Sequence, residues 1–183
     1  MTTHLTGERA DLVETLQRHR GFLLQTVQGL TQEQATRRTT VSVLNLAGLI
    51  KHVSDTEAMW ADFARRGAVA FGVAEFDADV DWTDPEFLAS LGDDPRHDEF
   101  HLVGDETFEG VLARYAEVAA ATDELAATGD LDARHALPVA PWFTPGASYS
   151  VRRVLLHVVA ETAQHAGHAD ILREALDGAR TMG

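Results

Sequence analysis

The chain has no cysteine. Disulfides, thiolate metal ligands and a cysteine nucleophile are thereby excluded, and any sulfur chemistry has to come from outside the polypeptide. Basic residues are scarce as well: fifteen lysines and arginines stand against twenty-nine aspartates and glutamates, for a formal charge of −14. That sign argues against nucleic acid or an anionic membrane as a partner, because both call for a basic face. No apolar run approaches bilayer length, and the polar start Met1-Thr-Thr-His-Leu-Thr6 lacks a secretory pattern, so a cytoplasmic protein is expected. Catalytic signatures are missing too. There is no Gly-x-Ser-x-Gly elbow, no His-Glu-x-x-His, and no pair of Glu-x-x-His runs of the kind that di-iron bundles use.

What is present reads as one soluble domain over residues 1–183, with 45% hydrophobic and 24% charged residues. Leu12, Leu16, Leu23, Val27 and Leu30 recur at helical steps and predict a first helix from about Glu8 to Gly29. His19, between Arg18 and Arg20, reads as part of its solvated face. Thr31 and Gln34 match a capping box for a short turn. A second helix begins near Ser42 or Asn45 and runs to Arg66, with Gly67 as its stop, and carries Leu44, Leu49, Val53, Met59, Trp60 and Phe63. Residues 67 to 104 are acidic and turn-rich, a length that marks either disorder or a functional lid; Trp82, Phe87 and Leu88 favour a packed loop. Asp77, Asp79 and Asp81 are spaced as in a calcium loop, but Trp82 and Leu88 stand where such a loop needs Gly and Glu, so these carboxylates read as acidic surface. A third helix spans about Glu106 to Thr128, a Pro- and Gly-containing connector covers 129–149, and a fourth helix follows Ser150 and stops at Gly178. The pattern predicts an all-α four-helix bundle with a long crossover between helices two and three.

The fourth helix carries the chemistry. At about 100° per residue, His157, Glu161, His165 and His168 lie near −40°, 0°, +40° and −20° on its wheel, a stripe roughly 80° wide. Val154, Val158 and Leu172 surround it, so the stripe faces inward, where ionisable groups need partners or a metal. His52 is the only histidine of helix two and shares a side with Leu49, Thr56 and Phe63. Glu161 and His165, on adjacent turns, together with His52 would make a three-ligand site with a vacancy, the arrangement of catalytic zinc. Nickel, iron or manganese suit the same donors. The wheel itself admits all four residues of the stripe, and a set of core histidines hydrogen-bonded to Glu161 is the competing reading.

The run Ser42-Val-Leu-Asn-Leu-Ala-Gly-Leu-Ile-Lys-His52 with Asp55, Glu57 and Trp60, paired with Leu155-Leu-His-Val-Val-Ala-Glu-Thr-Ala-Gln-His-Ala-Gly-His-Ala-Asp-Ile-Leu-Arg173, resembles the DinB-like superfamily. More narrowly it is similar to an actinobacterial branch close to the N-terminal metal-binding domain of mycothiol-dependent maleylpyruvate isomerase. The similarity extends to Gly7-Glu-Arg-Ala10 and Asp98-Glu-Phe-His101. It implies a four-helix bundle that holds a divalent metal, zinc or else nickel or another ion, on His52, Glu161 and His165. His168 then falls behind the ligands or in the pocket, and His157 in the core. It further implies a cytoplasmic homodimer and a metal-dependent thiol S-transferase or detoxification enzyme acting on a small molecule. Mycothiol or bacillithiol would be the co-substrate, and Trp60, Trp82 and Trp142 would form the pocket walls. The sequence ends at Gly183, before the second domain that completes the isomerase site, so maleylpyruvate isomerisation is not expected. The alternative is a non-catalytic metal-binding bundle with a stress-response or regulatory role.

Overall fold

Three of the four long helices begin where a side chain satisfies the first free amides. Asn45 accepts from Gly48 N at 2.8 Å to open α3 (Leu46–Arg66), Thr107 from Gly110 N at 3.1 Å to open α4 (Phe108–Thr128), and Ser150 from Arg153 N at 3.1 Å to open α5 (Val151–Asp177). The short α2 (Gln32–Ala35) has the capping box complete, with Thr31 and Gln34 bonded reciprocally. Only α1 (Glu8–Gln25) starts without a side-chain cap. Two helices stop at glycines with positive φ: α3 at Gly67, α5 at Gly178. The computed structural model from which these elements are taken describes residues 5–71, 99–138, 140 and 143–181.

The first helix ends earlier than its apolar spacing predicts. Thr26 turns its hydroxyl back onto Leu23 O at 2.7 Å, and Arg173 of α5 donates to Thr26 O at 2.8 Å, so the terminal carbonyl is capped from another helix. The connector after α4 also differs from expectation. It contains a two-stranded antiparallel ribbon, β1 (Arg134–Ala136) and β2 (Ser148–Ser150), in register Arg134↔Ser150, His135↔Tyr149, Ala136↔Ser148. Three-residue strands are too short to show an alternating pattern. His135 meets the Ala64 carbonyl of α3 at 3.1 Å through Nε2, which pins the ribbon to the bundle.

The four long helices form the bundle, with α1 against α5 and α4, and α3 against α4 and α5. Two apolar clusters fill it. Toward one end lie Leu23, Leu49, Ile50, Val53, Phe108, Tyr115 and Leu172; toward the other lie Leu16, Trp60, Phe63, Leu125, Val154, Leu155 and Val158. Full burial of each such Leu, Val or Phe is worth about 1.5–3 kcal/mol. On α3 the boundary between the clusters falls after Val53 and on α5 it falls after Val158, so His52, Glu161 and His165 sit near the junction. No helix among the described residues is long and apolar enough to cross a membrane.

Arg20, next to His19 on α1, is only 4% exposed. Its helical phase is that of Leu16, one turn earlier, and its charge is answered inside the bundle. Nη2 and Nε donate to Glu57 at 2.6 and 3.2 Å, and Nη1 donates to Asp123 at 2.5 Å. His19 itself is half-buried, with its ring edge-on to Phe22 at 6.0 Å.

Candidate metal centre

Two helices bring the site together. His52 comes from the first half of α3, and Glu161 and His165 from consecutive turns of α5. One donor atom from each lies within 4.8 Å of the others. Glu161 Oε1 sits between the rings, 3.3 Å from His165 Nε2 and 3.7 Å from His52 Nε2. Donors about 2.0–2.1 Å from a tetrahedral ion are separated by roughly 3.4 Å, so the two distances to Glu161 are close to those of a bound divalent metal, while the two imidazole donors are held within 4.8 Å. The distances to Glu161 are longer than the roughly 2.7–2.9 Å of a charge-assisted hydrogen bond. Burial, reinforced by the neighbouring His52, pushes the His165 imidazole below its ordinary value of 6.5. Its neutral ring therefore keeps a lone pair available at pH 7.

The outward nitrogen of each imidazole also faces a partner. His165 Nδ1 lies 3.4 Å from His168 Nδ1, and His52 Nδ1 lies 3.9 Å from Glu99 Oε2. With its proton on Nδ1, each ring presents Nε2 to Glu161. Metal-ligating histidines are commonly oriented in this way, because a partner behind the ring fixes the tautomer and raises the basicity of the ligating nitrogen.

A backbone contact holds this arrangement. The Phe100 carbonyl approaches α3 so closely that a Cβ at Gly48 would lie 1.6 Å from it. Asn45 Nδ2 donates to the same carbonyl at 3.2 Å, and Lys51 Nζ donates to His101 O at 3.0 Å and to Glu106 at 2.7 Å. Tied down in this way, the Phe100 ring stacks on His52 with centroids 4.2 Å apart and planes at 28°. The segment thus sets the plane of the His52 ring and brings Glu99 to its rim.

The remaining members of the stripe separate. His168 is exposed, behind His165. His157 is half-buried one turn below Glu161, with its ring edge on Trp60 at 4.7 Å, and it lines a cavity where the sequence reading puts it in the core. Burial lowers its pKa. That cavity, about 460 Å³, is walled by Trp60, Phe71, Phe143 and Tyr149, with Arg153 at its edge. A second cavity of about 320 Å³ is lined by His52, Asp55, Thr56 and Glu99, and Met59 borders both. A larger surface hollow of about 560 Å³ near Gly21, Leu24 and Leu112 contains no titratable side chain. Of the three tryptophans expected as pocket walls, Trp60 lines the cavity beside His157, while Trp82 and Trp142 lie outside the described residues, as do Asp77, Asp79 and Asp81.

Glu99 and Phe100 went unrecognised as site residues in the sequence, although they lie in one of the runs that carry the resemblance. The local signal was Gly48. A glycine inside a helix costs about 1 kcal/mol relative to alanine and points to a close approach by another segment.

No curated protein matches the chain. A crystal structure of the conserved protein of a locus from Enterococcus faecalis is similar with a TM-score of 0.63 at 14% identity, covering 96% of this chain and 100% of that one, a likeness of fold alone. The family model for mycothiol-S-transferase matches residues 11–178, which takes in every helix that contributes to the site. The chain belongs to the mycothiol-S-transferase family, a DinB-like family of helical bundles.

Proposed function

We propose that the protein joins mycothiol to an electrophilic small molecule at a divalent metal held by His52, Glu161 and His165. The observation that carries this reading is the convergence of three donor atoms from two helices within 4.8 Å. Two imidazoles and a carboxylate with room for a further ligand suit zinc, with nickel as the alternative. Such an ion supplies a Lewis acid that favours the ionised form of a thiol at neutral pH.

The chain's own residues do the positioning. Phe100 fixes the plane of His52, and His168 and Glu99 stand behind the two rings. A cavity lined by His52, Asp55, Thr56, Met59 and Glu99 offers room for a small molecule next to one of the three donors. Because the chain has no cysteine, the nucleophilic sulfur is that of the thiol substrate. The thiol proton passes to solvent, the sulfur pair forms a bond to the electrophilic carbon, and the leaving group departs with its bonding pair. With a conjugated carbonyl acceptor, the displaced pair is instead protonated by water.

Zinc-loaded protein is expected to conjugate mycothiol with a generic alkyl halide. Glu161→Gln should slow that conjugation by more than about 100-fold with an unchanged far-ultraviolet circular dichroism spectrum. Metal-replete protein that turns over no thiol with any electrophile would sink the transferase reading and leave a metal-stabilised bundle.

A further inference from the structure

The cavity walled by Trp60 lies one helical turn from the donor cluster, and its chemistry differs from that of the cavity at His52. Its walls are ring faces and edges: Trp60 stacks with Tyr149 at 5.9 Å and 22°, and meets Phe71 edge-on at 5.4 Å and Phe143 edge-on at 6.4 Å. The neighbouring cavity offers Asp55, Thr56, Glu99 and His52, groups that hydrogen-bond hydroxyls. A polar, sugar-borne thiol suits the second, and a flat apolar body suits the first. Met59, on the border of both, sets the two side by side along α3.

One charge distinguishes the aromatic cavity further. Three arginines of α5 are candidates to offset the acidic surface. Arg152 is taken by Glu8 and Asp132, and Arg173 by Asp177. Among the described residues Arg153 pairs with no carboxylate; its guanidinium lies over the Tyr149 ring at 4.6 Å, at the edge of the cavity. On a chain of charge −14, an arginine at the rim of an apolar cavity, with no carboxylate partner among the described residues, is a recognition group for an anion. Arg153, His157 and Glu161 are successive turns of α5, so Arg153 is about 12 Å along the helix from the donor cluster at 1.5 Å per residue. A two-ring aromatic molecule with an acidic group at one end fits within that span.

We propose that the Trp60 cavity is the acceptor subsite and that it takes a flat aromatic molecule carrying an anionic group, with the ring system against Trp60 and Tyr149 and the anion at Arg153. The acceptor role rests on the transferase reading above; the binding itself does not.

Calorimetric titration of the full chain with 2-naphthoate and with its neutral counterpart 2-naphthylmethanol separates the two. The expected result is 1:1 binding of 2-naphthoate, weakened roughly fivefold by Arg153→Gln, with 2-naphthylmethanol unaffected by that substitution. Phe143→Ala should weaken both compounds. Absence of 2-naphthoate binding, or binding indifferent to both substitutions, overturns the subsite. Binding is read without turnover, so the reaction is tested separately. In mycothiol conjugation of a small alkyl halide, saturating 2-naphthoate should inhibit. Conjugation that proceeds unhindered overturns the acceptor role. Binding without any conjugation overturns the transferase reading while leaving an aromatic-acid site.

Discussion

The bundle holds two clusters of ionisable side chains, and they are built on opposite principles. In the first, Arg20 of α1 reaches Glu57 of α3 and Asp123 of α4, and Gln17 takes the second oxygen of Asp123 at 2.7 Å. Every carboxylate oxygen has a donor, and Arg20 and Glu57 keep 5% and 1% of their side-chain surface. In the second, Glu161 faces two imidazoles at 3.3 and 3.7 Å, has no lysine or arginine partner among the described residues, and remains 25% exposed, with a cavity at its neighbour His52. A cluster that closes its own charge fixes how helices pack. One that leaves a carboxylate and two lone pairs aimed at a common point is shaped for a ligand supplied from outside.

The sharpest way to break that contrast is to remove Arg20. Arg20→Ala strands Glu57 in the interior, and an unpaired buried charge costs about 3–5 kcal/mol, read in urea melts of metal-free protein. His52→Ala in the same metal-free protein should cost under about 1 kcal/mol, because no closed network is lost. The contrast collapses if His52→Ala proves the more damaging of the two.

Next in size is Gly48→Ala. The added methyl meets the Phe100 carbonyl, and forcing the segment away should cost about 1–3 kcal/mol. Because Phe100 and Glu99 orient His52, metal affinity should fall along with stability. Unchanged metal affinity in this variant would remove the segment from the site.

Glu99→Gln tests the orienting role alone. Loss of a carboxylate behind a ligating histidine typically lowers metal affinity 10- to 100-fold; the 3.9 Å separation places this one near tenfold, with the metal-free melting curve unchanged. A competition titration against a chromogenic chelator reads the change.

The smallest effect concerns pH. Hydrogen bonding to Lys51 holds the Glu106 carboxyl below its ordinary value of 4.5. A depressed carboxylate contributes stability above its unfolded pKa and loses it as pH falls through the folded one. Glu106→Gln should therefore remove a shallow acid slope that begins below pH 4.5, about 0.5–1 kcal/mol in all. An identical slope in the variant would detach Lys51 and Glu106 from the anchoring of the Phe100 segment.

The closed cluster and the open one were not equally legible in the sequence. Helical spacing and the caps Thr31, Asn45 and Ser150 marked the helices within a few residues, because both signals are local. Glu161 and His165 were visible for the same reason, as neighbours on one helix, and the family resemblance supplied the choice among four stripe residues. Arg20, Glu57 and Asp123 are 37 and 103 positions apart, and no local pattern announces their meeting. The helical phase of Arg20, shared with Leu16, is the one local hint that it points inward. The stacking of Phe100 on His52 is likewise a contact between distant segments, betrayed only by a glycine inside a helix.

The central claim is that the open cluster binds a divalent ion and the closed one does not. Titration of metal-free protein with zinc, read by calorimetry for wild type, Glu161→Gln and Arg20→Lys, tests it most directly. The account predicts one zinc per chain with proton release, binding lost in Glu161→Gln, and wild-type binding in whatever fraction of Arg20→Lys remains folded. Zinc binding by Glu161→Gln that equals wild type, or no binding by wild type at all, would contradict it.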